Sequence, residues 1–172
     1  GKFVLERVTD AVTGNELFSH TDKRLKADPE IQHGSSLAAA NGQPIKLTFQ
    51  TPAKILKNNR SIANLETDGL IRSLLRRVSL LCRLHQKQEW QLDYRHVIEN
   101  FNRDVKIADN QTQSVALKRH SSRQRQSHPL FAFTGSAVLT GHLAPYGGLL
   151  QMGAVTHIGN STSQGLGKYQ IN

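Results

Sequence analysis

Cysteine is almost missing from this chain. Cys82 stands alone among 172 residues, so no intrachain disulfide forms and no zinc site of the paired-cysteine kind is available. A reducing, cytoplasmic location is therefore expected. Acid is missing from the whole second part: after Asp109 there is no aspartate or glutamate, while residues 110–172 hold Lys118, Arg119, Arg123, Arg125 and Lys168, with His120, His128, His142 and His157. Such a segment does not supply the oxygen ligands of Mg²⁺ or Ca²⁺ or of a two-metal nuclease, nor a carboxylate acid/base pair. Neither a metal nor another cofactor is expected. No run approaches the roughly 18 apolar residues of a membrane span, and the opening GKFVLERVTD lacks the apolar stretch of a signal peptide. No membrane contact is expected, and a first residue of Gly1 in place of Met points to a piece of a longer protein.

What is present is basic. A formal charge of +9, with 20% charged and 37% hydrophobic residues, describes a globular chain that leans toward polyanions, nucleic acid first among them.

Residues 3–8 alternate as a strand does, Thr13-Gly14-Asn15 offers a turn, and ELFS follows as a second short strand. Residues 20–42 carry no period and read as a linker. From residue 45 the pattern sharpens. IKLTFQT places Ile45, Leu47 and Phe49 on one face and Lys46, Thr48 and Gln50 on the other, and Pro52 is expected to end the strand. A helix is expected from an N-cap at Thr67 or Asp68 to about Gln86, buried through Leu70, Ile71, Leu74, Leu75, Val78, Leu81 and Cys82. Its opposite side carries Arg72, Arg76, Arg83 and Lys87, read as a solvated face. YRHVIENFN makes a shorter helix ending near Arg103, where Asp93, His96 and Glu99 read as a capping and ion-pair cluster.

Two strands follow at 114–120 and 129–141, joined by the basic turn SSRQRQSH. Ala144-Pro145 opens a short helix with Leu149, Leu150, Met152 and Val155 turned inward, Gly159 breaks it, and LGKYQI is the last strand. The order from residue 45, with the YRHVIENFN helix set aside as an insertion, is β-α-β-β-α-β. That is an α+β fold of ferredoxin-like (RRM-like) type, with two helices over one face of a four-stranded antiparallel sheet and extra N-terminal strands. Residues 1–44 are a lead-in and 45–172 the domain. Phe131 and Phe133 share a face with Ala137 and Leu139 and read as core, so nucleic acid is expected at loops and helix edges and not on stacking aromatics of the sheet.

Two stretches suit phosphate. Lysine and arginine neutralise a sugar-phosphate backbone, and glycine lets main-chain N–H groups approach it. The first is HIGNSTSQGLGK, with Gly159, Gly165 and Gly167; its plain alternative is a tight turn into the final strand. The second is KRHSSRQRQSH, whose plain alternative is a soluble hairpin tip. Only four residues follow Lys168, which rules out a P-loop.

The ending LLQMGAVTHIGNSTSQGLGKYQI resembles the C-terminal glycine-rich loop of the RAMP superfamily of CRISPR systems. LTFQTPAKIL at 47–56, LLRRVSLL at 74–81 and KRHSSRQ at 118–124 resemble one branch of it, the CRISPR-associated endoribonuclease that cuts precursor CRISPR RNA, in its C-terminal domain. The resemblance implies two ferredoxin-like domains with RNA on the basic surface between them, of which residues 45–172 are the second. It further implies metal-independent cleavage, in which the substrate's own 2′-OH attacks the neighbouring phosphate and leaves 2′,3′-cyclic phosphate and 5′-OH ends. The expected partners are the CRISPR repeat of the precursor RNA and other CRISPR-associated proteins. The RNA contacts implied are Arg119, Ser121, Arg123, Arg125, Gly159, Asn160, Gly165, Gly167 and Lys168. His120 is the local candidate for catalysis, with packing or stacking as its alternative, because many relatives carry the catalytic histidine in the first domain. A non-catalytic RAMP module that binds RNA, or a scaffold subunit, is the competing reading.

Overall fold

The computed structural model describes residues 4, 6–9, 14–22, 43–87, 89–121 and 126–172, with backbone alone at 86, 118–121 and 126–129. The basic-turn residues Arg123 and Arg125 lie outside the described residues. The chain divides into two compact units, Gly1–Ser36 and Leu37–Asn172. In the first, β1 (Arg7–Thr9) pairs antiparallel with β2 (Glu16–Ser19), with Val8 opposite Phe18.

The second unit starts with β3 (Ile45–Ala53), where period-two alternation buries Ile45, Leu47 and Phe49 and exposes Lys46 and Gln50. Pro52 does not end this strand as expected. It falls where the register against the next strand shifts, between Phe49 and Ala53, a place where no ladder N–H is required. Two short strands, β4 (Leu56–Lys57) and β5 (Arg60–Ser61), pair through Asn58 and Asn59. Both turn residues have positive φ, 51° and 61°, the backbone of a tight two-residue hairpin.

Helix α1 (Thr67–Leu81) buries Gly69, Leu70, Ile71, Leu74, Leu75 and Val78 along one stripe. Its N-cap is Glu66, not Thr67 or Asp68, and the Glu66 side chain makes no capping bond. The expected continuation to Gln86 is a widened π-type turn, Cys82–Gln86, closed by Lys87 at φ 55°. Helix α2 (Tyr94–Asp104) is capped by Asp93, which accepts from the His96 N–H, while Glu99 pairs with Arg95. The Asp93, His96 and Glu99 group is thus taken up by capping and ion pairing.

Strand β6 (Val105–Asn110) follows α2 with no loop between them. It was not expected, because VKIADN offers only Val105 as a fully buried apolar residue. β6 occupies the sheet position that 114–120 was expected to fill. It pairs with the inner half of β8 (Gln126–Gly141), while β7 (Gln113–Ser121) pairs with the outer half. Between β6 and β7, the Thr112 Oγ accepts from the Leu65 N–H at 2.9 Å and donates to Asn110 at 2.6 Å. This ties the strand break to the residues before α1.

A short 3-10 turn, Ala144–Tyr146, leads into α3 (Gly147–Thr156), and β9 (Tyr169–Ile171) completes the sheet. The strand order is β6-β8-β3-β9, all antiparallel, with β7 extending the β8 hairpin past it. This is the ferredoxin-like arrangement, carrying a projecting β7–β8 arm. Val155 was expected inside but is 52% exposed. α3 meets α1 through Gly153, where an added Cβ would lie 2.2 Å from Leu74 and 2.3 Å from the Tyr169 hydroxyl. Val155, two residues on, is turned about 200° away. Phe131 also departs from expectation at 53% exposed: it sits opposite Ala116 on the arm, beyond the four-stranded sheet. Phe133, Ala137 and Leu139 are core as expected. Phe49 packs edge-on against Phe133, with ring centres 5.1 Å apart, and tilted against Tyr169. The Tyr169 hydroxyl donates to the Leu150 carbonyl, and burial pushes its pKa far up.

Candidate nucleic-acid interface

The glycine loop is pinned at its neck and open at its tip. At the neck, Ile158 is fully buried and its N–H donates to the Gly167 carbonyl at 3.0 Å. Gly167 in turn donates to the Pro52 carbonyl, Asn160 donates to the Lys54 carbonyl, and Lys168 donates to the Thr51 hydroxyl. Gly159 and Gly167 have φ of 83° and 79°, and an added Cβ would lie 2.4 Å from the Lys54 oxygen and 1.9 Å from the Ile158 oxygen respectively. Only glycine fits so close a backbone approach. Gly165, at φ 84°, has nothing within 4 Å of a built Cβ and sits in the exposed stretch 163–165.

Part of the loop's main-chain N–H set is therefore taken up within the protein. The N–H groups of Asn160, Gln164, Gly165, Gly167 and Lys168 are already spent on protein oxygens. Those of Ser161, Thr162 and Ser163 have no partner among the described residues. They belong to the N-cap and first residues of the short 3-10 turn Thr162–Gln164, where N–H groups have no acceptor within the turn.

Opposite Ser161 and Thr162 lies α1. A cleft of about 270 Å³ runs between Gly159–Thr162 on one side and Arg72, Arg76 and Arg77 on the other, with Leu56 and Leu80 at its apolar edge. Arg77 donates to the Thr156 carbonyl, the last of α3, at 2.9 Å. Arg72 pairs with Asp68 one turn earlier at 2.8 Å. Burial by itself raises the Asp68 pKa, but hydrogen bonds from Arg72 and Asn102, with the Arg72 charge, outweigh it and hold the carboxyl below its ordinary value. Arg76 is exposed and has no partner among the described residues. Guanidinium groups and unpaired main-chain donors lining one groove are the chemistry that suits an anion.

In the sequence Arg72 and Arg76 read as part of a solvated face, and nothing there connects Arg77 with the loop. The signal available was the helical spacing of 72 and 76. What it lacked was the crossing of α1 over α3, which delivers the loop to that face.

The loop residues Gly159, Asn160, Gly165, Gly167 and Lys168 are brought together. Arg119, His120 and Ser121 lie elsewhere, at the outer end of β7, paired with His128, Ser127 and Gln126. The loop and the arm leave the same end of the sheet, where Ala53 pairs with Phe133. From Phe133 to His128, opposite Arg119, is five residues, about 17 Å at the usual strand rise.

A family model described as CRISPR-associated endoribonuclease Cas6 matches residues 47–169. The chain belongs to the Cas6 family. The matched span runs from β3 into β9, and so takes in most of the ferredoxin-like sheet, the arm, the cleft and the glycine loop. No curated protein matches the sequence. Among solved structures, Thermus thermophilus Cas6 is similar with a TM-score of 0.63 and 16% identity, over 90% of this chain and 61% of that one. A Cas6 product complex gives 0.57 and 18%, over 87% and 63%. A partial Cas6-RT-Cas1–Cas2 complex gives 0.62 and 14%, over 92% and 29%. At such identities the likeness is one of fold. The chain spans about three fifths of the length of the Thermus Cas6. Among the described residues no helix is long and apolar enough to cross a membrane.

Proposed function

We propose that this chain is the RNA-binding half of a Cas6-type endoribonuclease that processes precursor CRISPR RNA. The observation that carries the reading is the two-walled cleft, which Arg72, Arg76 and Arg77 of α1 line together with Ser161 and Thr162, whose main-chain N–H groups have no partner among the described residues. Phosphates of a single strand enter that groove, and Lys168 at the loop's exit adds a further cation. Arg119 and Ser121 on the arm, with the basic-turn residues Arg123 and Arg125, give the RNA a second hold.

In this reading the protein binds and orients the strand so that a 2′-OH lines up with the adjacent phosphate. The bond that forms is O2′–P and the bond that breaks is P–O5′, which leaves a 2′,3′-cyclic phosphate and a 5′-OH with no metal in the step. His120 is the candidate in this chain for moving a proton in that exchange.

The test incubates the intact protein, first domain included, with its CRISPR repeat RNA in EDTA. Cyclic-phosphate ends are expected, and a repeat with 2′-deoxyribose at the cut site should bind and stay whole. Loss of cutting on chelation refutes the mechanism. Tight, salt-sensitive binding by the intact protein without any cutting assigns the chain to the non-catalytic RAMP reading.

A further inference from the structure

His157 occupies a backbone position built for glycine. It follows α3 with φ 62° and ψ 162°, a region that side-chain-bearing residues enter only under strain. Its loop neighbours at positive φ include three glycines, Gly159, Gly165 and Gly167. At 157 the chain bears the strain and keeps an imidazole.

The ring is held by one nitrogen. Nδ1 lies 3.2 Å from the Leu166 carbonyl oxygen, across the neck of the loop. A carbonyl only accepts, so Nδ1 carries a proton, and the tautomer with its hydrogen there presents Nε2 as an acceptor. Nε2 has no partner among the described residues, and none of their buried side-chain nitrogens or oxygens lacks one. It therefore reaches solvent. Thr156, one residue before, is held by the cleft residue Arg77, and Gly159, two residues after, begins the loop wall of the cleft. His157 does not itself line the cleft; it stands in the segment that links the Arg77-held end of α3 to the loop wall.

We infer that His157 is a specificity-determining residue whose Nε2 accepts a hydrogen bond from the bound RNA, and that the backbone strain is tolerated for this contact. The inference rests on the RNA reading proposed above. Phosphate oxygens only accept and belong to the arginines and amides, so the group read by His157 is a donor: a ribose 2′-hydroxyl or a base N–H.

Binding of labelled oligonucleotides, measured by fluorescence anisotropy, and thermal melting of the full chain test it together. His157→Gly should raise the melting temperature by about 2–4 °C as strain is relieved, and should weaken repeat RNA by about 3- to 10-fold. His157→Gln, which keeps the strain and an acceptor oxygen, should retain more affinity with no gain in melting temperature. If the ribose is read, the loss in His157→Gly disappears on the all-deoxy strand. If a base is read, the loss is larger on the repeat than on random RNA. Equal affinities of wild type and His157→Gly for every strand, or a lower melting temperature in His157→Gly, overturn the inference, the latter by showing the imidazole to be a structural brace. Wild-type protein that binds no RNA overturns the RNA reading and this inference with it, whatever the melting temperatures do.

Discussion

Arg77 donates its Nε–H to the carbonyl of Thr156 at 2.9 Å, joining α1 to the last residue of α3 immediately before the glycine loop. The bond is part-buried and charge-assisted, so Arg77→Met, which keeps the aliphatic stem, should lower stability by about 1–2 kcal/mol. It should also loosen the neck of the loop and weaken RNA. The urea midpoint measures the first effect and anisotropy the second; a variant as stable as wild type would show that the bond contributes nothing.

Two glycines of the loop should respond very differently to alanine. In Gly167→Ala the new methyl meets the Ile158 carbonyl, and with positive φ added the loss should be about 3 kcal/mol or more. In Gly165→Ala the space is open and only the left-handed backbone is penalised, by about 1–2 kcal/mol. Similar denaturation midpoints for the pair would contradict the described loop geometry.

Arg76 and Arg72 line the same cleft, yet only Arg72 has a carboxylate beside it. Arg76→Ala should therefore reduce RNA affinity at low salt and flatten the slope of log K against log salt by about 0.7, the share of one phosphate contact on a single strand. Arg72→Ala should do less, since Asp68 already offsets part of its charge. Salt titrations with the repeat RNA separate the two.

The Asp68 carboxyl lies below its ordinary pKa when folded. A depressed acid contributes stability that is present above its unfolded pKa and lost as pH falls through the lower folded value. Between pH 7 and pH 3 wild type should thus lose more stability than Asp68→Asn. Paired urea titrations at the two pH values check this, and equal losses would remove Asp68 from the acid response.

Much of the fold was legible in the residues because the pattern and the burial share one cause. IKLTFQT alternates because one side of β3 meets α1 and α3, and the apolar stripe of α1 repeats because a single helix face is buried. β6 was illegible for the converse reason. As an edge strand it buries little more than Val105, so its pairing with β8 leaves almost no apolar trace. Val155 and Phe131 are apolar residues placed where packing does not reach, one behind α3 and one on the arm, and composition says nothing about that.

For the site, the chain alone determined a basic, carboxylate-free tail and the glycines of a loop, since charge and positive-φ tolerance are properties of single residues. Which amides of that loop stay free, and that Arg72, Arg76 and Arg77 stand across from them, was decided only when α3 crossed α1 at Gly153 and β9 drew the loop back onto Pro52 and Lys54. The strain at His157 belongs to the same category. A histidine in a sequence carries no dihedral angle, and it is the closure of the loop between Ile158 and Gly167 that forces one upon it.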